Sequence, residues 1–208
     1  MNRFLAVWPF VAAMAVIVAA SNVLVQFPFA HFGLGDILTW GAFTYPIAFL
    51  VNDLTNRRFG PQAARRVVVV GFVMAMVLSV WLASPRIALA SGSAFLLAQL
   101  LDISIFDRLR RSAWWRAPLI STVIGSTLDT VIFFSLAFAA VFSFLDTGLG
   151  REDGSLAFAV PLFGSDMDVP LWVSLALGDL VVKLLVGLAM LVPYGALITV
   201  LRPAEAVR

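Results

Sequence analysis

One stretch, residues 117–144 (APLISTVIGSTLDTVIFFSLAFAAVFSF), limits what this chain can fold into more than any other. It exceeds the roughly 20 apolar residues that cross a bilayer as a helix, yet Asp129 stands near its middle. A carboxylate in hydrocarbon is costly, so Asp129 has to look inward at protein, water or ligand, which makes it a functional-site candidate. Steps of three and four residues place Thr122, Ser126, Asp129 and Thr130 on one helix face. The cation expected to share that interior is Lys183, in a second apolar run where GDLVVKLL sets Asp179 and Lys183 one turn apart. Such a pair either neutralises itself within one helix or gives up one member to a ligand or a proton.

Composition points the same way. Of the 208 residues 62% are hydrophobic and 12% charged, with a mean hydropathy of +1.00, whereas soluble domains hold about 45–50% apolar and about 25% charged residues. The chain is read as an integral membrane protein. Its pI of 9.7 could suggest nucleic acid, but the formal charge is only +2 and the arginines fall in short clusters between apolar runs, so no nucleic-acid partner is expected. The absence of cysteine excludes disulfides and thiolate metal sites, and the lone His31 gives a histidine metal site or Ser-His catalysis nothing to work with. Neither metal nor cofactor is expected, and the chain is not expected to be an enzyme.

Taken in order, the apolar run that continues to Phe27 past Ser21, Asn22 and Gln26 is longer than a signal-peptide core and reads as a first span. Asn22 and Gln26 lie one turn apart and serve either interhelical hydrogen bonding or ligand contact. The turn PFAHFGLGD (28–36) contains a GLGD that resembles the GxGD of intramembrane aspartyl proteases, but it precedes a span and lacks a partner motif. NDLTNRRFGPQAARR (52–66) and DRLRRSAWWR (107–116) read as basic cytoplasmic loops, and Ser84-Pro85-Arg86 as a tight return. The third span, nearly free of polar groups, is expected to face lipid. In the fourth, Ala90, Ala94 and Ala98 make a close-packing seam, with Gln99 expected at a cavity and Asp102 at the cytoplasmic helix end. Pro193 invites a bend in the last span.

The expected architecture is an all-α bundle of six transmembrane helices forming one transmembrane domain, 1–208, with spans at about 4–27, 37–52, 67–83, 87–105, 117–144 and 170–201. An acidic external loop is expected at 145–169, carrying Asp146, Glu152, Asp153, Asp166 and Asp168. With both termini cytoplasmic, eleven arginines lie inside against Arg86 and Arg151 outside and Lys183 within the bilayer, as the positive-inside rule requires.

Several stretches together carry a family resemblance: SNVLVQFP (21–28), TWGAFTYP (39–46), NDLTNRRFG (52–60), ASGSAFLLAQLLDISIFDRLRR (90–111), WWRAPLISTVIGSTLDTVIFF (114–134) and DLVVKLLVGLAMLVPYG (179–195). The chain resembles the queuosine precursor transporter family, also called the VUT family, with Leu180 standing where an aromatic is expected. The resemblance implies a multi-pass protein of the bacterial inner membrane that imports 7-deazaguanine bases, 7-cyano-7-deazaguanine or its 7-aminomethyl counterpart, for queuosine salvage in tRNA modification. Its partners would be that small molecule and the lipid bilayer; a homo-oligomer is compatible. Under it Asp129 or Asp179 would accept the N–H edge of the base, Lys183, Asn22, Gln26 and Gln99 would meet the remaining polar atoms, and Phe133, Phe134 or Phe43 would stack on the ring. Ser91, Ser126 or Thr130 could line a pocket for the position-7 substituent. The alternative is a substrate-binding membrane subunit of an energy-coupling-factor uptake system, which would need a separate ATPase because this chain has no nucleotide-binding motif.

Overall fold

The computed structural model describes residues 3–33, 38–82, 84–153, 155–162 and 166–201. It is mostly helical: α1 (Arg3–Leu24), α2 (Gly41–Thr44), α3 (Pro46–Phe59), α4 (Pro61–Leu82), α5 (Pro85–Leu109), α6 (Arg116–Phe138), α7 (Phe144–Thr147), α8 (Leu171–Ala189) and α9 (Leu191–Val200). A two-stranded antiparallel ribbon, β1 (Ala159–Pro161) with β2 (Asp168–Pro170), leads into α8. Among the described residues five segments are long and apolar enough to cross a membrane, in α1, α4, α5, α6 and the joined α8–α9.

The breaks have local causes. Pro46 has no N–H to donate to the Ala42 carbonyl, so the helix begun at Gly41 stops at Tyr45 and restarts with Pro46 in its first turn. A Cβ on Gly41 would lie 2.9 Å from the Val25 Cα, so only glycine lets α2 close on the end of α1. Gly60 ends α3 at φ 88°, a left-handed value, and Pro61 opens α4. Met190 separates α8 from α9 because the Pro193 ring would crowd the Ala189 carbonyl one turn back, so the expected bend falls three residues ahead of the proline. The run 117–144 is not one helix: α6 ends at Phe138, and Ala139 turns extended.

Two expectations need correcting. Residues 52–59 are not loop but the second half of α3, with Asn52, Asp53, Thr55 and Asn56 all buried. The third span does not simply face lipid. One side of α4 exposes Val69, Val73 and Val77, while Ala64, Val67, Val68 and Ala75 pack with Met14, Val18, Ala48, Val51, Phe95 and Ile103 into the core shared by α1, α3, α4 and α5. The alanine seam of α5 is buried, and Gly125 brings α6 close to the Ala98 carbonyl. GLGD, apart from its first residue, lies outside the described residues, as do Arg202 to Arg208; His31 is exposed.

At one end of the bundle, Arg57 donates to the Arg110 carbonyl and Arg110 to the Asn56 carbonyl at 2.7 Å, so the two guanidiniums tie the C-terminal ends of α3 and α5 together. At the other end Arg86, 1% exposed, donates to the carbonyls of Leu136 (2.9 Å) and Ala139 (2.5 Å) and to Asp153 Oδ1 (2.6 Å). Arg86 therefore caps the end of α6 and latches the acidic segment onto it. Arg86→Met should leave those carbonyls unpaired, cost about 3 kcal/mol and lower the thermal unfolding midpoint; an unchanged midpoint would show the cap to be idle. The Asp153 carboxyl is held below its ordinary range: desolvation pushes it up, but the Ser155 N–H and hydroxyl and then the Arg86 charge outweigh that. A depressed folded value means its contribution is complete above about pH 4 and is lost as pH falls further. Protection of the Ser155 amide against exchange, measured relative to its intrinsic rate at each pH, should fall only in acid.

Candidate functional site: a charged cavity between the helices

A cavity of about 320 Å³ runs from the helix ends at Gln26, Leu82, Ile87 and Phe138 down to Tyr45, Asp129, Asp179 and Lys183. Its walls are mainly apolar, with Phe95, Phe133 and Phe134 among them, and its polar side groups include Asn22, Gln26, Ser79 and Ser91. All of these come from the half of the bundle opposite the arginine-rich ends of α3 and α5.

The floor is an ion cluster assembled from three elements. Lys183 Nζ lies 2.7 Å from Asp129 Oδ2 on α6 and 2.5 Å from Asp179 Oδ2 on its own helix. It also reaches Thr130 Oγ1 at 3.4 Å and sits 5.1 Å from the centre of the Tyr45 ring, a cation–π distance. Asp129 Oδ1 accepts the Tyr45 hydroxyl at 2.7 Å, and Asp179 Oδ2 accepts Thr130 Oγ1 at 3.0 Å. Tyr45 itself keeps a helical backbone, φ −57° and ψ −41°, between α2 and α3. Asp129 and Asp179 face a single ammonium, so with all three groups ionised the cluster keeps one net negative charge. Asp179 Oδ1 accepts no hydrogen bond among the described residues and is the acceptor left open.

Of the residues singled out in the sequence, Asp129, Asp179, Lys183, Asn22, Gln26 and Phe133 line this cavity together. Asn22 and Gln26 each also bond a carbonyl one turn back, and Ser79 of α4 donates to Asn22 Oδ1 at 2.9 Å. Gln99 and Ser126 are corrections: both are fully buried away from the cavity, and the Gln99 amide and Ser126 hydroxyl find no partner among the described residues. Phe43 packs instead with Phe29 and Trp40, rings outside the cavity lining. Asp102, expected at a helix end, is buried in α5 and accepts Asn52 Nδ2 at 3.0 Å. Tyr45 and Ser79 were not anticipated. The only sequence signal for Tyr45 was its place before a proline inside a hydrophobic stretch.

Several helices long and apolar enough to cross a membrane, packed around a small cavity with a charged floor, define a multi-pass membrane protein. A family model described as "Putative vitamin uptake transporter" matches residues 39–84 and 77–197, and the chain belongs to that family. It is 39% identical to the "Queuosine precursor transporter" of Escherichia coli (strain K12), over 59% of this chain and 64% of that protein. Against the "Probable queuosine precursor transporter" of Haemophilus influenzae it is 32% identical over 89% of this chain and 83% of that protein. A protein of the same printed name from Bacillus subtilis (strain 168) is 31% identical over 52% of this chain and 59% of its own length. The chain thus spans 64% and 59% of the Escherichia coli and Bacillus subtilis relatives. No solved structure matches it.

Proposed function

We propose that the chain imports 7-deazaguanine precursors of queuosine, 7-cyano-7-deazaguanine or the 7-aminomethyl base, through the cavity above Lys183. The observation that carries this is the floor itself, where one lysine is shared between two carboxylates beneath aromatic walls. A cavity of about 320 Å³ falls at the small end of ligand sites, about 300–1,000 Å³, as a single bicyclic base requires. The guanine-type edge presents adjacent N–H donors. Asp179 Oδ1 can accept the first directly, and the second is accepted when Lys183 moves wholly onto Asp129. Phe133 and Phe134 of the lining offer ring faces, Asn22, Gln26 and Ser79 polar partners, and Ser91, also on the lining, would take the position-7 substituent.

Uptake of labelled 7-cyano-7-deazaguanine into vesicles containing only this protein tests the reading and separates it from a subunit that needs an ATPase. Guanine-type bases should compete while adenine fails, because adenine sets an acceptor where guanine sets a donor and hydrogen-bonding sites reject such analogues strongly. Equal competition by adenine would mean that the site reads ring shape alone.

In this reading α2 and α3 together form a sixth, broken crossing, since α3 alone, 14 residues, reaches only about 21 Å. Both termini and the arginine-rich helix ends lie in the cytoplasm, and the segment with Asp153 lies outside. External thiol labelling of a Ser155→Cys variant in intact cells should succeed; protection of that site would reverse the orientation.

A further inference from the structure

Beneath the cavity floor, toward the arginine-rich end, lies a second polar cluster whose residues are not part of the cavity lining. It consists of Asn52, Asp53 and Asn56 of α3, Gln99 and Asp102 of α5 and Ser121 of α6, none more than 2% exposed. Asp53 is two helical turns beyond Tyr45, about 12 Å along α3. Asp53 and Asp102 are both buried in this one cluster, on the facing helices α3 and α5. Asn52 Nδ2 donates to Asp102 Oδ2 at 3.0 Å and to the Gln99 carbonyl at 3.3 Å, and Ser121 Oγ donates to Asp53 Oδ1 at 3.4 Å.

What the cluster lacks is donors. Asn52 Oδ1, Asn56 Oδ1, Gln99 Oε1 and Asp102 Oδ1 are buried with no partner among the described residues; the unpartnered donors around them are Gln99 Nε2, the Tyr194 hydroxyl beside Asp53, and Arg58 Nε farther along α3. No cation reaches the pair: the ion pairs among the described residues are Arg86–Asp153, Arg110–Asp107 and Lys183 with Asp129 and Asp179. The other charged or titratable groups nearby are Arg57 on α3, Arg110 after α5 and Tyr194 on α9. Both guanidiniums are bonded to backbone carbonyls. From α6 the pair meets Ser121, and α4 packs against α3 and α5 with the apolar Ala64, Val67 and Val68. Two carboxylates buried in one cluster with no ion-pair partner among the described residues oppose each other's ionisation, which suits the cluster to holding one proton.

We propose that Asp53 and Asp102 form the binding site for a proton whose passage is coupled to that of the substrate. This rests on the reading of the chain as a transporter. α3 starts directly after Tyr45, which is bonded to Asp129 at the cavity floor, and carries Asp53, while α5 carries Ser91 of the cavity and Asp102. Any movement of α3 against α5 that alters the cavity floor also alters the spacing of the two carboxylates. The only bond made or broken is one O–H: the pair takes a proton from the side on which the substrate enters and releases it on the other. Next to Asp53 a cleft of about 10 Å³, bounded by Thr122, Gly187, Met190 and Tyr194, has room for about one water at the α8–α9 break.

The test uses proteoliposomes holding only the full chain, labelled 7-cyano-7-deazaguanine, and an imposed pH gradient or sodium gradient. One pH unit, inside alkaline, should support up to about tenfold accumulation at one proton per base, with no response to sodium. Asp53→Asn and Asp102→Asn should abolish that response; base binding to the purified variants reports whether they are folded. If they do not fold, proton uptake per base by the unaltered protein, read with a trapped pH dye, decides. Equilibration of the base without response to the pH gradient overturns the proton site and leaves the transport reading standing. Accumulation driven by sodium, or variants that still accumulate base against a pH gradient, overturn it as well. Failure of the unaltered protein to bind or admit the base sinks the transport reading, and the proton site with it.

Discussion

Asp129→Asn is expected to cut uptake about ten- to a hundredfold while leaving the helices folded. The carboxylate holds Lys183 through Oδ2 and the Tyr45 hydroxyl through Oδ1, and the amide can replace only one of those acceptors. Its NH₂ group would face either the ammonium or the hydroxyl donor. Losing one charge-assisted hydrogen bond costs about 1.5–3 kcal/mol, which sets the size of the effect. The measurement is initial uptake rate at matched membrane expression. Normal rates would mean that Asp129 only braces α6 against α3 and α8, and the substrate would have to be read elsewhere in the cavity.

The larger effect on stability is expected from Lys183→Met. Lys183 is 5% exposed and is the cation for both Asp129 and Asp179, so its removal strands two carboxylates at once. Breaking a buried pair by removing one partner costs about 3–5 kcal/mol, which corresponds to a fall of roughly 10 °C in unfolding midpoint for a chain of this size. The intrahelical Asp179–Lys183 pair anticipated from spacing is present, but the lysine is shared, and that changes the rescue. Asp179→Asn in the Lys183→Met background still leaves Asp129 charged, with Tyr45 alone. Adding Asp129→Asn should restore the midpoint without restoring uptake. If the single Lys183→Met variant melts like the unaltered protein, the cluster contributes nothing to holding α6 and α8 together.

The parts of this arrangement that rest on long apolar runs were legible in the sequence. Asp129 and Lys183 stood out because charges are rare there, and their pairing needed only the expectation that each must find a partner. The segment from Asn52 to Asn56 was not legible as interior, because four arginines follow within a few residues and the whole stretch read as a loop. Burial there is decided by α5, which supplies Asp102 and the carbonyls of Gln99 and Ile103 to the α3 side chains, and no local pattern encodes that partner. Arg86 misled for the same reason: a basic residue beside Ser-Pro reads as surface, yet the exposed carbonyls at the end of α6 draw it inside. Tyr45 was not legible as part of the site, because a tyrosine in an apolar run is more often simply packed.

The lining of the cavity ends at Tyr45 and the Lys183 cluster, and the buried Asp53 lies about 12 Å farther along the helix. In the proposed orientation, water entering the cavity would bring the external potential down to the Lys183 cluster, and the membrane voltage would fall mostly across the half beneath it. The field there is correspondingly steeper than across a uniform bilayer. A charge that leaves the cavity floor for the cytoplasm therefore does nearly its whole electrical work in that short distance, about 2.3 kcal/mol per 100 mV. Binding at the floor would be nearly voltage-independent, and the passage beneath it would carry the voltage sensitivity.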